Sequence, residues 1–157
     1  MDSITDYDNQ TTKPFWTSYS IDDERFETYQ VDGVLVSLSW LHEGQQYYKP
    51  RLAVVAKFTG ASIEILRLEI KNIGVLPFQQ VGEVKIDKKV KDRDLYRIDP
   101  WIAVKIETEK LKQLAMTNDG KFEAILTVRV NKNGNITEKE ITYIFKEKVR
   151  KYIPWPT

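Results

Sequence analysis

FEAILTVRVNKNGNITEKEITYIF, residues 122–145, reads as two long strands joined by a tight turn. Phe122, Ala124, Leu126, Val128 and Val130 alternate with Glu123, Thr127 and Arg129, the period of two that buries one face of a strand. Asn133-Gly134 then supplies the positive φ angles that a two-residue hairpin requires. A hairpin of this length demands a second layer against its apolar face, which points to an all-β chain.

Shorter runs of the same kind extend outward from it. FETYQV (26–31) and VLVSLSWL (34–41) flank Asp32-Gly33, another hairpin dipeptide, and are expected to pair. In the second run Val34, Val36, Leu38 and Trp40 share one face, while Ser37 and Ser39 mark the wetter one. LAVVAKF (52–58) is the next strand. SIEILRLEI (62–70) slips in its alternation, with Ile63 and Ile65 on one parity and Leu66, Leu68 and Ile70 on the other, which predicts a β-bulge near Ile65. VGEVKI (81–86) reads as a short edge strand and WIAVKIE (101–107) as another strand. Residues 42–50, 71–80 and 87–100 read as polar or charged connections.

The period changes once. Leu111, Leu114 and Ala115 are spaced three and four apart behind Thr108 as N-cap, with Asn118 and Gly120 as stop signals, so a short helix is expected near residues 109–116. About eight strands, one short helix and no crossover helix give an antiparallel β-sandwich. At 157 residues the chain is expected to form one domain over residues 15–157 behind a flexible polar leader, residues 1–14.

The chain resembles the immunoglobulin-like superfold through Trp40 on an early strand and the run LAMTNDGKFEA, residues 114–124, which is similar to the helical connection leading into a late strand of such domains. Phe122 stands where these domains often carry a corner tyrosine, and both sandwich cysteines are missing. The resemblance implies a fold, one that serves receptors, adhesins, chaperones and carbohydrate binders alike.

The chain has no Cys, which removes disulfides, thiolate metal ligands and cysteine nucleophiles. Its formal charge of +1 conceals an asymmetry: residues 1–30 are strongly acidic and residues 121–157 strongly basic. The basic residues alternate with acids as on a solvated sheet face, so nucleic acid is not an expected partner. No apolar run is long enough for a transmembrane helix. The acidic leader predicts a tether, as in an extracytoplasmic bacterial accessory protein or lipoprotein; a frayed terminus has the same composition.

Chemistry-bearing motifs are sparse. His42 adjoins Glu43 at a strand end, but neighbours on a strand point to opposite faces, so His42 reads as a surface residue and no catalytic residue is assigned. Asp87, Asp92, Asp94 and Asp99 lack calcium-loop spacing and are interleaved with Lys88, Lys89, Lys91 and Arg93, so no metal site and no cofactor is expected. The remaining signal is aromatic. If strands alternate direction, Tyr47, Tyr48, Phe78 and Trp155 gather at one end of the sandwich, where aromatic loop residues suit a protein or glycan ligand. The expectation is a non-enzymatic interaction domain for a protein partner, of accessory or inhibitor/immunity type, with a carbohydrate-binding module as the alternative.

Overall fold

The computed structural model describes residues 3–10 and 24–151. Two antiparallel sheets pack face to face, with eleven strands and one α-helix among the described residues. The strands are β1 (Ser3–Asn9), β2 (Gln30–Val31), β3 (Val34–Glu43), β4 (Tyr47–Ala56), β5 (Ala61–Ile70), β6 (Gly74–Val75), β7 (Val84–Lys85), β8 (Tyr96–Ile98), β9 (Ile106–Glu107), β10 (Lys121–Lys132) and β11 (Asn135–Lys151). Helix α1 spans Thr108–Met116. One sheet runs β1-β11-β10-β5-β6, with β7 also on β5; the other runs β2-β3-β4-β8, with β9 also on β4.

The β10–β11 hairpin forms as its alternation predicts, closed by Asn133 and Gly134 at φ 53° and 91°. Its apolar face, Phe122 to Val130 on β10 with Ile141, Tyr143 and Phe145 on β11, packs against Val34, Val36, Leu38 and Trp40 of β3 and Leu52 and Val54 of β4. Burial of these side chains is the dominant favourable term, at about 1.5–3 kcal/mol for each large one. The bulge expected near Ile65 is present: against β10 the register steps from Arg67 opposite Thr127 to Ile65 opposite Val128, leaving out Leu66. That step returns both Ile63/Ile65 and Leu68/Ile70 to the core face.

Four readings require correction. The leader assigned to residues 1–14 contains β1, paired with β11 from Ser3↔Lys151 to Asn9↔Phe145; Tyr7 and Asn9 are buried, and Asp6 and Asp8 stand opposite Lys148 and Lys146. The strand expected at 26–31 is mostly a 3-10 helix, Glu24–Tyr29, because Phe26 and Tyr29, three apart, turn together onto Leu35 and Val55 on the outer face of the second sheet. The loop expected at 42–50 is a hairpin whose turn is only Gly44, Gln45 and Gln46, and Pro50 is tolerated within β4. On its other side β4 has no ladder partner between Tyr48↔Ile106 and Val54↔Ile98, where a missing N–H costs nothing. Of the strand expected at 101–107 only Ile106–Glu107 pairs. The expected total of about eight strands omitted β1 and the short pieces β6 and β8, which lie within the connections expected at 71–80 and 87–100.

The position of β1 decides how the sandwich closes. β1 is the edge of its sheet and faces the part of β3 that β2 leaves uncovered, and side chains of β1, β11 and β4 rather than a backbone ladder bridge the two sheets there. Asn9 Nδ2 donates to the Leu38 carbonyl at 2.6 Å, Tyr143 Oη to the Val36 carbonyl at 2.6 Å, and Tyr48 Oη to the Thr5 carbonyl. Carbonyls that would template an added strand are thereby occupied.

Candidate functional site

The pairing of β10 with β11 ends at Lys121↔Lys146, so β11 beyond that point and the first half of β1 form a two-stranded ribbon projecting past the sheet. Helix α1 and the 44–46 turn rise beside it. They are tied together because Thr108 does not cap its own helix: the N-cap is Glu107, with no side-chain cap bond, and Thr108 Oγ1 donates to Gln45 O at 3.0 Å. Between ribbon and helix lies an open cleft of about 780 Å³, lined by Ile4, Thr5 and Arg150 on one side, Gln45, Thr108, Glu109 and Lys112 on the other, with Tyr7, His42 and Tyr48 as its floor.

The floor is held rigidly. Tyr7 and Tyr48, 3% and 1% exposed, meet edge to face with centroids 5.3 Å apart, Tyr7 packs on Phe122 at 5.1 Å, and the His42 ring lies 4.6 Å from Tyr48. Asp6 organises the polar part: its Oδ1 lies 2.8 Å from His42 Nε2, and its Oδ2 accepts from Arg150 Nε at 2.6 Å. Burial works to raise the Asp6 pKa, but the bonds from Arg150 and His42, with their charges, outweigh it and hold the carboxyl below its ordinary value. Burial, reinforced by Glu147 and Glu109, pushes the Tyr7 phenol up to about 12. Burial likewise raises Tyr48, with Tyr7 and Asp6 adding to the effect.

The aromatic residues expected to form a ligand-binding end are dispersed. Tyr48 is floor, its ring almost wholly buried. Tyr47 points to the other face of β4, where Lys105 Nζ sits 4.2 Å over its ring, and it lines a smaller pocket of about 280 Å³. Phe78 is half-buried against the core. Trp155 lies outside the described residues. His42 is half-buried and paired rather than a free surface residue. The charged residues at the cleft that sequence reasoning missed are Arg150, Lys112 and Glu109 in its lining and Asp6, which bonds Arg150; the signal for Asp6 and Arg150 was the acidic start and basic end of the chain. Among the described residues no group of three or more His, Cys, Asp or Glu side chains is arranged to hold a metal ion, and no helix is long and apolar enough to cross a membrane.

No protein-family model matches the chain, and no curated protein is significantly similar to it. Among solved structures it is similar to a crystal structure of a protein from Archaeoglobus fulgidus, at 9% identity and a TM-score of 0.40, over 75% of this chain and 97% of that one. A likeness of that size carries no functional information.

Proposed function

We propose that this is a non-enzymatic interaction domain that receives part of a protein partner in the cleft between the β1–β11 ribbon and α1. The observation that carries the reading is a cleft of about 780 Å³ beside the β1–β11 ribbon, mixed in lining and fixed by hydrogen bonds. That volume is in the range of ligand sites, and a preorganised wall reduces the entropy lost on binding. Support for a non-catalytic role comes from the hydroxyls nearby. Thr108 and Tyr48 are already donating, Tyr7 titrates only at about 12, and His42 bonds Asp6 with no nucleophile beside it among the described residues. The test is affinity capture with the wild type, with Lys112→Glu in the cleft, and with Ile136→Lys at the far hairpin turn. The reading predicts a partner lost with the first substitution and kept with the second; a partner indifferent to both refutes it.

The sandwich is immunoglobulin-like in this reading. Its support is the strand order: β11-β10-β5 in one sheet and β3-β4-β8 in the other follow the G-F-C and A-B-E neighbours of that superfold, with α1 in the connection before the late hairpin. An extracytoplasmic, tethered location rests on leader composition alone, and that argument no longer includes residues 3–9, which form β1.

One observation favours the carbohydrate alternative. Trp101 is 70% exposed, two residues after Asp99, whose carboxylate bonds Arg97 at 2.8 Å and lies 4.0 Å from Arg51. An exposed indole beside fixed polar groups suits a sugar ring. Titration with a glycan panel that quenches tryptophan fluorescence in the wild type and not in Trp101→Ala supports this alternative; an unresponsive wild type removes it.

A further inference from the structure

Counted with Asp6, the charged groups at the cleft balance, Arg150 and Lys112 against Asp6 and Glu109, so what the cleft offers a ligand is set by which donors are left unused. Asp6 is not among the lining residues, but its two oxygens engage two of them, His42 and Arg150. The lining itself presents Arg150, Lys112 and Glu109, together with the His42 imidazole that Asp6 engages.

The two cations also have donors to spare. Arg150 uses Nε on Asp6, which fixes the plane of its guanidinium, while its two terminal amino groups have no partner among the described residues. A guanidinium oriented this way matches two oxygens of one planar anion. Lys112 is exposed and likewise has no partner among the described residues, so its ammonium is available as a second, less directional charge. Glu109 lies one helical turn before Lys112 on the same side of α1 and is an acceptor suited to an amide N–H.

We infer that the cleft reads a carboxylate on a peptide, bound by Arg150 and Lys112, with Glu109 taking an adjacent N–H. This deepens the partner-binding reading and rests on it. The carboxylate comes from one of two sources, a chain terminus or an Asp or Glu side chain, and both present the same planar anion next to amide donors.

The test is a titration of the full 15N-labelled chain, followed by amide shifts of Gly44, Gln45 and Thr108–Lys112, with three probes. These are N-acetyl-dialanine as the free acid, its C-terminal amide, and N-acetyl-aspartate amide. The inference predicts saturable shifts with at least one carboxylate and none with the amide; the responding probe identifies the source. Lys112→Gln, at an exposed position that cannot disturb the core, weakens that binding several-fold, and Arg150→Gln weakens it about tenfold or more. Absence of cleft shifts with either acid, or equal affinity in Lys112→Gln and wild type, overturns the carboxylate assignment. A captured partner lost on Lys112→Glu, with no response to these acids, refutes the carboxylate chemistry alone; carboxylate binding with no protein partner refutes the partner reading alone.

Discussion

Replacing Tyr143 by Phe tests whether side chains close the sandwich. Tyr143 is fully buried, its Oη donates to the Val36 carbonyl at 2.6 Å, and its ring stacks on Tyr29 with centroids 5.4 Å apart. The substitution keeps the ring and its packing and removes only the donor. β2 reaches no further along β3 than Leu35, so the Val36 carbonyl has no strand on that side to turn to. An acceptor stripped of its partner in a dry site costs about 1–3 kcal/mol, against a total stability of roughly 5–15 kcal/mol for a domain. In urea, with a slope of about 2 kcal/mol per molar, the midpoint falls by about 0.5–1.5 M while the slope stays constant. Asn9→Ala, which frees the Leu38 carbonyl, is expected to act in the same direction and by a similar amount. The measurement is equilibrium unfolding followed by both fluorescence and circular dichroism. A Tyr143→Phe midpoint within about 0.2 M of wild type, less than the smallest shift this range allows, refutes the claim that these bonds close the edge.

Three further outcomes follow from burial and charge. Asp6 has a lowered folded pKa, so its contribution is present above the ordinary carboxylate value of 3.8 and is lost as pH falls through the folded value; the stability gap between wild type and Asp6→Asn is expected to be about 1 kcal/mol near neutrality, because the Asp6 and Arg150 side chains are 28% and 53% exposed, and to vanish in acid. A gap that persists at low pH contradicts this. Tyr7, raised from 10.0 to about 12, adds stability that is whole below 10 and is lost as pH rises toward 12, so in an ultraviolet titration the set Tyr7, Tyr48 and Tyr143 should ionise only well above 10, with unfolding. Ionisation of these three near 10 with the sheet intact contradicts it. Leu126→Ala, at a fully buried position, is expected to cost about 2–5 kcal/mol and Ile136→Ala, exposed at the hairpin turn, less than about 0.5 kcal/mol, both read from denaturant midpoints.

How much of this was legible in the sequence depends on how far away each residue's partner lies. The β10–β11 hairpin, the bulge left by Leu66 and the helix at 108–116 were readable because their causes are local: alternation, an Asn-Gly turn and a change of period. The 3-10 helix at 24–29 was missed because Phe26 and Tyr29 have strand propensity, and only contact with Leu35 and Val55 makes a three-residue spacing preferable. β1 was missed for a stronger reason. Its partner β11 lies at the other end of the chain, and with acids on one face it has the composition of a solvated leader. The imbalance between the acidic start and the basic end was the visible trace of that pairing, and its physical meaning is Asp6 and Asp8 opposite Lys148 and Lys146.

The misread strand also explains why the cleft is where it is. Along the seam between β1 and β3, the length of the side chain that crosses measures the gap. At Asn9 a short amide reaches the Leu38 carbonyl directly. Toward the start of β1 the crossing takes a side chain from each strand, the Asp6 carboxylate meeting the His42 imidazole, and the Thr5 carbonyl is reached by Tyr48 from β4, the next strand over. The edges therefore diverge from Asn9 toward Ile4, and the space between them becomes the cleft as the ribbon leaves the sheet. Closure and site are one feature at two separations. A substitution that loosens the narrow end, such as Asn9→Ala, is then expected to disturb ligand affinity in the cleft as well as stability, whereas Leu126→Ala, buried elsewhere in the core, lowers stability without changing the affinity of the folded protein.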